Sequence, residues 1–98
     1  MKIDPKELNW QESHHLLTDI VVPRPIAWVS TVGEDGVYNL APFSAYALVC
    51  FIPMVIGFTC VTSRDGQRRD TLLNIESTKE FVVNIVTEDL VEAMNVTS

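Results

Sequence analysis

The first apolar pattern of the chain has helical spacing. Apolar residues recur every three to four positions from Trp10 to Ile20, as expected of a helix that buries one face. Asn9 is a suitable N-cap, and Glu12, three residues on, completes a capping box. Pro23 and Pro25 then end the helix and favour extended backbone. The pattern therefore predicts a lead-in helix followed by extended chain.

The middle of the chain is rich in β-branched and aromatic residues and predicts strands. Ile26–Val32 and Val37–Ser44 flank the turn sequence Gly33–Gly36, whose Asp-Gly pair favours a hairpin. After Pro53, the nearly all-apolar segment Met54–Cys60 predicts a third strand. Alternation along the first strand predicts two faces, with Ile26, Trp28, Ser30 and Val32 on one and Ala27, Val29 and Thr31 on the other.

The last third of the sequence predicts a helix, a strand and a second helix. Asp70 or Thr71 can cap a helix that runs through Lys79. Glu80–Val86 then predicts a fourth strand. Thr87 can cap a final helix, and the two acidic residues that follow it suit the positive end of a helix dipole.

An uncharged stretch from Val37 to Ser63 admits two interpretations. Its most apolar part, Ala45–Val61, is close to the length of a membrane helix. Because Pro53 and Gly57 interrupt it, buried strands are the favoured interpretation. Strands that are apolar on both faces need a closed barrel or a partner subunit. Four strands are too few to close a barrel, so a homo-oligomer is expected.

Length and charge narrow the function classes. The chain has 98 residues and a net charge of −6, which predicts a single domain over residues 1–98 and no nucleic-acid partner, since such binders are basic. Cys50 and Cys60 lie in apolar surroundings without metal-ligand spacing, and are expected as buried thiols in a reducing compartment. The N-terminus has no signal-peptide pattern, so a soluble, cytoplasmic protein is expected. Adjacent His14 and His15 point about 100° apart on a helix and do not chelate one metal.

The first candidate site is the end of the predicted hairpin. Pro42 lacks an amide donor, so its strand is expected at a sheet edge, at a bulge, or where a ligand meets the backbone. Asn39, Ala41 and Ser44 surround it, and two hydroxyl residues, Ser30 and Thr31, end the preceding strand. Each of these residues alone is explained by local turn hydrogen bonds. Together they indicate a ligand site on a rigid scaffold.

The second candidate site is a group of arginines at the start of the second helix. Arg64, Arg68 and Arg69 lie within six positions and lead into Asp70 and Thr71. A helix N-terminus preceded by arginines suits a phosphate. A solvated charged loop is the alternative interpretation.

Three segments of the sequence resemble the flavin reductase-like family of FMN-binding split-barrel proteins. They are Arg24–Thr31 (RPIAWVST), Asn39–Ser44 (NLAPFS) and Asp70–Ile75 (DTLLNI). Glu80–Asn84 (EFVVN), followed by the acidic start of a helix, extends the resemblance, which covers Leu16 to Asn95. It implies a mainly β, Greek-key split barrel with flanking helices, non-covalent FMN, a homodimer, and flavin reduced by NAD(P)H or carrying electrons to an acceptor.

The resemblance also implies roles for individual residues. The predicted flavin contacts are Ser30, Thr31, and the backbone around Asn39, Ala41, Pro42 and Ser44. The predicted contacts of the ribityl chain and phosphate are Thr59, Arg64, Asp70 and Thr71. No catalytic side chain and no metal ligand is predicted, since the flavin carries the chemistry.

Length is the main departure from the family pattern. Family members are roughly twice as long, so the resemblance implies a barrel that is incomplete in this chain, either truncated at its C-terminus or assembled with a partner. Three functions stay open at this stage: an NAD(P)H-dependent flavin reductase-like enzyme, a non-enzymatic FMN-binding electron carrier, and a structural remnant without flavin.

Overall fold

The computed structural model describes residues 1–61 and 69–98. The predicted phosphate ligand Arg64 and its neighbour Arg68 lie outside these residues. The helices and strands, in chain order, are α1 (Trp10–Ile20), β1 (Ala27–Val32), β2 (Tyr38–Phe43), β3 (Tyr46–Cys50), β4 (Val55–Phe58), α2 (Asp70–Thr78), β5 (Val82–Asn84) and α3 (Val91–Val96). The predicted class, mainly β with flanking helices, is confirmed.

The lead-in helix α1 begins with the predicted capping box. The side chain of Asn9 accepts a hydrogen bond from the Glu12 amide at 2.9 Å, and the Glu12 carboxylate accepts one from the Asn9 amide at 3.2 Å. Trp10, the first apolar residue of the predicted buried face, is 53% exposed, and no residue of α1 is buried. The Trp10 ring stacks on His14 at a centroid distance of 5.1 Å. The helical periodicity therefore identified the helix, but the expectation of a buried face was wrong.

The first sheet has the order β2-β1-β5, with both pairs antiparallel. The predicted hairpin is confirmed as β1 and β2. Gly36 turns the chain with a φ of 82°, a backbone conformation that favours glycine. Since β2 is the outer strand of this sheet, Pro42 lies at an edge, as predicted.

The core lies on one face of this sheet. Ala27 and Val29 of β1 are completely buried, and Phe43 of β2 is 7% exposed. Helix α2 packs against this face. On the other face Trp28 is also buried, as predicted, and its Nε1 donates a hydrogen bond to Thr97 at the end of α3. The predicted alternation along β1 is therefore confirmed.

The uncharged stretch forms a second hairpin, in which β3 and β4 make a two-stranded sheet of their own. No separate strand was predicted for Tyr46–Cys50, because residues 44–45 carry no Gly or Pro signal. Full burial of this region was also a wrong expectation, since Phe51, Ile52 and Met54 are at least 75% exposed. Cys50 and Cys60 are only half-buried. The two sheets are not closed into a barrel, and no described helix is long and apolar enough to cross a membrane.

One predicted helix cap is wrong. The N-cap of α2 is Arg69, and neither Asp70 nor Thr71, both of which lie inside the helix, caps it. Lys79 is the C-cap of α2 and has a left-handed φ of 62°. Thr87 is the N-cap of a 3₁₀ turn, Glu88–Leu90, that leads directly into α3, and its hydroxyl bonds the Asp89 carboxylate.

Candidate functional site

Two side-chain hydrogen bonds join the end of the β1–β2 hairpin to the start of α2. Asn39 Nδ2 donates to Thr71 Oγ1 at 2.9 Å, and Asn74 Nδ2 donates to Thr31 Oγ1 at 3.1 Å. Both threonines are buried, with Thr71 only 1% exposed. These bonds fix α2 on the sheet, so the described residues of the second candidate site lie next to the end of the hairpin.

Ser30 lies on the opposite face of β1 from Thr31. Asn84 Nδ2 donates to Ser30 Oγ at 3.1 Å and to the Trp28 carbonyl at 3.0 Å. The side chains of Ser30 and Thr31 therefore point to different sides of the sheet. A cleft of about 310 Å³ borders both residues together with Glu80, whose carboxylate would repel an anion there.

A larger open cleft of about 650 Å³ lies between α1 and the end of β2. Its volume is within the range of about 300–1,000 Å³ that is usual for small-molecule sites. It contains three of the predicted residues, Pro42, Ser44 and Thr59. The full lining is His14, Leu17, Thr18 and Val21, residues 23–25, residues 42–47, and Thr59, Val61 and Arg69.

The larger cleft is positively charged in an acidic protein. Arg24 and Arg69 line it, and among the described lining residues there is no Asp or Glu. Arg24 Nη1 donates to the carbonyls of Thr18 and Val21 at 2.7 and 2.6 Å. Arg69 Nε donates to the Val61 carbonyl at 3.2 Å. Both guanidinium groups are thus held by backbone oxygens, and the cleft suits an anionic ligand.

Cys60 is next to this charged region. Burial raises the pKa of its thiol, and the positive charge of Arg69 works in the opposite direction. A thiol with a raised pKa is a weak nucleophile at neutral pH. Within residues 1–61 and 69–98 there is no group of three His, Cys, Asp or Glu side chains that could hold a metal ion.

The start of α2 presents amide groups next to Arg69. In the described part of the chain, no side chain caps the first turn of this helix. Uncapped amides at a helix N-terminus favour an anion. Asp70 is exposed at this end, whereas the Thr71 side chain is buried against Asn39, so Thr71 can offer a ligand only its backbone.

The other predicted residues fall in several places. Ala41 packs against the core cluster, and the side-chain amide of Asn39 donates its hydrogen bond to Thr71. Arg24, His14 and Tyr46 were not predicted as ligand contacts, although all three line the larger cleft. The sequence signal for Arg24 was the pair of prolines that flank it. They favour extended backbone at this position, and an extended segment allows a long side chain to reach a ligand.

Comparison with known families identifies the chain. The sequence model of the flavin reductase like domain matches residues 20–98. A protein of Halalkalibacterium halodurans is 44% identical over the whole chain and one of Aquifex aeolicus is 41% identical over 97 residues, and this chain covers 47% and 50% of them. The chain thus spans about half the length of the curated relatives that it matches.

Solved structures agree with this comparison. Nitrilotriacetate monooxygenase component B from Bacillus cereus is similar with a TM-score of 0.88 and 37% identity, over 99% of this chain and 49% of that one. Pseudomonas fluorescens 2-nitrobenzoate 2-nitroreductase is similar with a TM-score of 0.79 and 33% identity, over 99% of this chain and 46% of that one. The open sheets described above are therefore those of the flavin reductase fold, and the chain belongs to the flavin reductase-like domain family.

Proposed function

We propose that the chain binds FMN in the larger cleft. The observation that carries this proposal is the charge of the cleft at the start of α2, where Arg69 occurs without a carboxylate among the described lining residues. In a chain with 13 acidic and 7 basic residues, such a lining favours a ligand with a phosphate. Membership of a flavin reductase-like family supports flavin as that ligand.

The lining residues fit the parts of FMN differently. Pro42, Ser44 and Tyr46 supply a wall with two hydroxyls and backbone groups for the flat ring. Thr59 lies towards the ribityl chain. Arg69 and the uncapped amides of α2 bind the phosphate, and Arg64 is proposed as a second phosphate ligand. Ser30, Thr31, Asn39 and Ala41 support the site from the sheet, and Thr71 supports it from α2.

The proposed reaction is electron transfer from NAD(P)H to flavin, or through bound flavin to an acceptor. Bound flavin supplies hydride and electron transfer itself. The residues of this chain bind and orient it and hold its charge, so no side-chain acid or base is needed. The monooxygenase component and the nitroreductase among the structural neighbours are named for redox functions, which supports an enzyme over a remnant.

A homodimer in the cytoplasm completes the proposal. Apolar side chains remain exposed on β3, on β4 and at the turn between them, including Leu48, Phe51 and Ile52. Exposed apolar surface of this extent marks an interaction surface. Because the matched relatives are about twice as long, a second copy of the chain and further chain of the same domain both suit this surface, and sedimentation velocity will measure the assembly.

The phosphate assignment is tested by comparing FMN with riboflavin, which lacks the phosphate. We expect Arg69→Ala to reduce the affinity for FMN about tenfold, the equivalent of about 1.4 kcal/mol. The affinity for riboflavin should fall less than about twofold. Lys79→Asn is the matched control, since it removes a positive charge from the other end of α2 and asparagine tolerates a left-handed backbone. Equal losses for the two flavins would contradict the assignment, and failure of the wild type to bind either flavin would exclude the function.

Reduction of the bound flavin by the nicotinamide cofactor distinguishes a flavin reductase-like enzyme from a non-enzymatic electron carrier. FMN-loaded protein is mixed with NADH or NADPH without oxygen, and the flavin absorbance is followed. Loss of the visible absorbance at a rate above that of free FMN supports the enzyme. Unchanged absorbance favours the non-enzymatic electron carrier.

A further inference from the structure

Arg24 is a cation that FMN alone does not need. It lies at the end of α1, where Nη1 donates to the carbonyls of Thr18 and Val21. A guanidinium has five donors, and within the described ranges neither Nη2 nor Nε of Arg24 donates a hydrogen bond. The residue is half-buried and lines the larger cleft. Its position is therefore fixed, and the described residues leave its other donors for a ligand.

Arg24 and Arg69 reach the cleft from different elements of the fold. Arg24 is held by the last turn of α1, whereas Arg69 begins α2 and bonds Val61. FMN has one phosphate, and under the proposed function that phosphate lies at Arg69. The volume of about 650 Å³ is well above the lower end of the usual range of about 300–1,000 Å³. A second ligand can thus occupy the α1 side with its own anionic group.

The α1 side of the cleft also offers flat surfaces. The His14 ring is held parallel to Trp10, with an interplanar angle of 14°, and His14, Pro23 and Pro25 all line the cleft. Flat apolar surfaces beside a guanidinium suit a planar ligand with a carboxylate, which Arg binds with two parallel hydrogen bonds.

We propose that Arg24 binds the carboxylate of a planar electron acceptor that lies beside the flavin. The inference rests on the proposed function and adds the class of substrate to it. The anionic groups of a nicotinamide dinucleotide are the other source of the same chemistry, and the experiment distinguishes the two.

Benzoate and its neutral analogue benzamide are the probes. Each is titrated against the FMN-loaded and the FMN-free chain, with flavin absorbance and tryptophan fluorescence as readouts. We expect benzoate to bind at least about tenfold more tightly than benzamide, as a charge-assisted hydrogen-bonded pair implies. Arg24→Met should abolish this preference and change FMN affinity less than about twofold, and Arg24→Lys should keep part of it.

The outcomes separate the two proposals. Lys79→Asn, which removes a charge outside the cleft, should leave the preference for benzoate unchanged, and thermal unfolding followed by circular dichroism checks that each variant is folded. NAD⁺ is titrated in the same way. The carboxylate site is excluded if Arg24→Met weakens the binding of NAD⁺ but leaves the preference for benzoate intact. It is also excluded if the wild type binds benzoate no more tightly than benzamide. Failure of FMN binding overturns the proposed function instead, and the FMN-free titrations still decide the role of Arg24.

Discussion

The sheet β2-β1-β5 and the hairpin β3–β4 have similarly apolar sequences but opposite surroundings. In β1 four of the six residues are buried, whereas none of the residues of β3 or β4 is. The sheet has α2 on one face, and Trp28 on the other face bonds the end of α3. The hairpin contacts the core mainly through Tyr46 and Phe58. An apolar strand thus indicates a surface that must be covered, but does not identify what covers it.

Polar residues distinguish the two regions better than apolar residues do. The packed sheet contains Thr31, Asn39 and Asn84, whose side chains bond partners 32 to 56 residues away in the sequence. A buried polar group is expensive without such a partner. Asparagine and threonine within apolar strands therefore indicate that the partner lies in the same packed unit, a signal that is missing from β3 and β4.

The largest expected difference between the regions is in the effect of core truncation. Val29→Ala should reduce the free energy of unfolding by about 2–3 kcal/mol, because it removes two buried methyl groups and leaves a cavity. Val49→Ala is the matched change in β3, where the side chain is 64% exposed, and should cost less than about 0.5 kcal/mol. Urea denaturation measures both. Similar losses would show that the hairpin is covered in solution.

The second test concerns the polar bond that fixes α2. Thr71→Val keeps the shape of the side chain but removes the acceptor of Asn39 Nδ2, and should cost about 1–2 kcal/mol. Thr59→Val is the control, because it replaces an exposed hydroxyl next to the hairpin and should change stability little. Adding Asn39→Leu to Thr71→Val should recover part of the loss, since it removes the unsatisfied donor. No recovery in this double variant would mean that packing, and not the hydrogen bond, holds α2.

Local sequence signals predicted the local parts of the fold. The capping box at Asn9, the glycine at position 36 and the proline of β2 each act through neighbouring backbone, so the sequence sufficed for α1 and the first hairpin. The boundary between β2 and β3 has no such signal. The cap of α2 was misplaced because Thr71, a good capping residue by type, is used by Asn39 in the folded chain.

The candidate site was harder to predict because its residues come from distant segments. Alternation along β1 correctly assigned the side chains of Ser30 and Thr31 to different faces of the sheet, whereas both the residue pattern and the family resemblance grouped these two residues at one ligand. Arg24 reaches the cleft only because α1 folds back beside residues 42–47. Such a contact depends on tertiary packing, which no spacing rule in the sequence specifies.

A smaller effect is expected at the turn of the packed hairpin. Gly36 has a φ of 82°, and a Cβ added there would meet no atom within 4 Å. Gly36→Ala therefore changes backbone strain without a clash and should cost about 1 kcal/mol. Gly36→Asn should cost less, because asparagine tolerates positive φ. Equal costs for the two variants in urea denaturation would mean that the turn relaxes to another conformation.

The smallest expected effect is at Cys60, where the segment after β4 meets the core. Burial raises the pKa of this thiol, and the charge of Arg69 partly offsets that rise. Arg69→Ala should therefore raise the pKa further, reduce the thiolate fraction, and slow alkylation by iodoacetamide near pH 8.5 by about two- to threefold, as a screened surface charge allows. The rate is measured in a Cys50→Ser background, with Lys79→Asn as the control of equal charge. A faster rate in Arg69→Ala would mean that the substitution opens the cleft, so that access to Cys60 and not its charge environment limits the reaction.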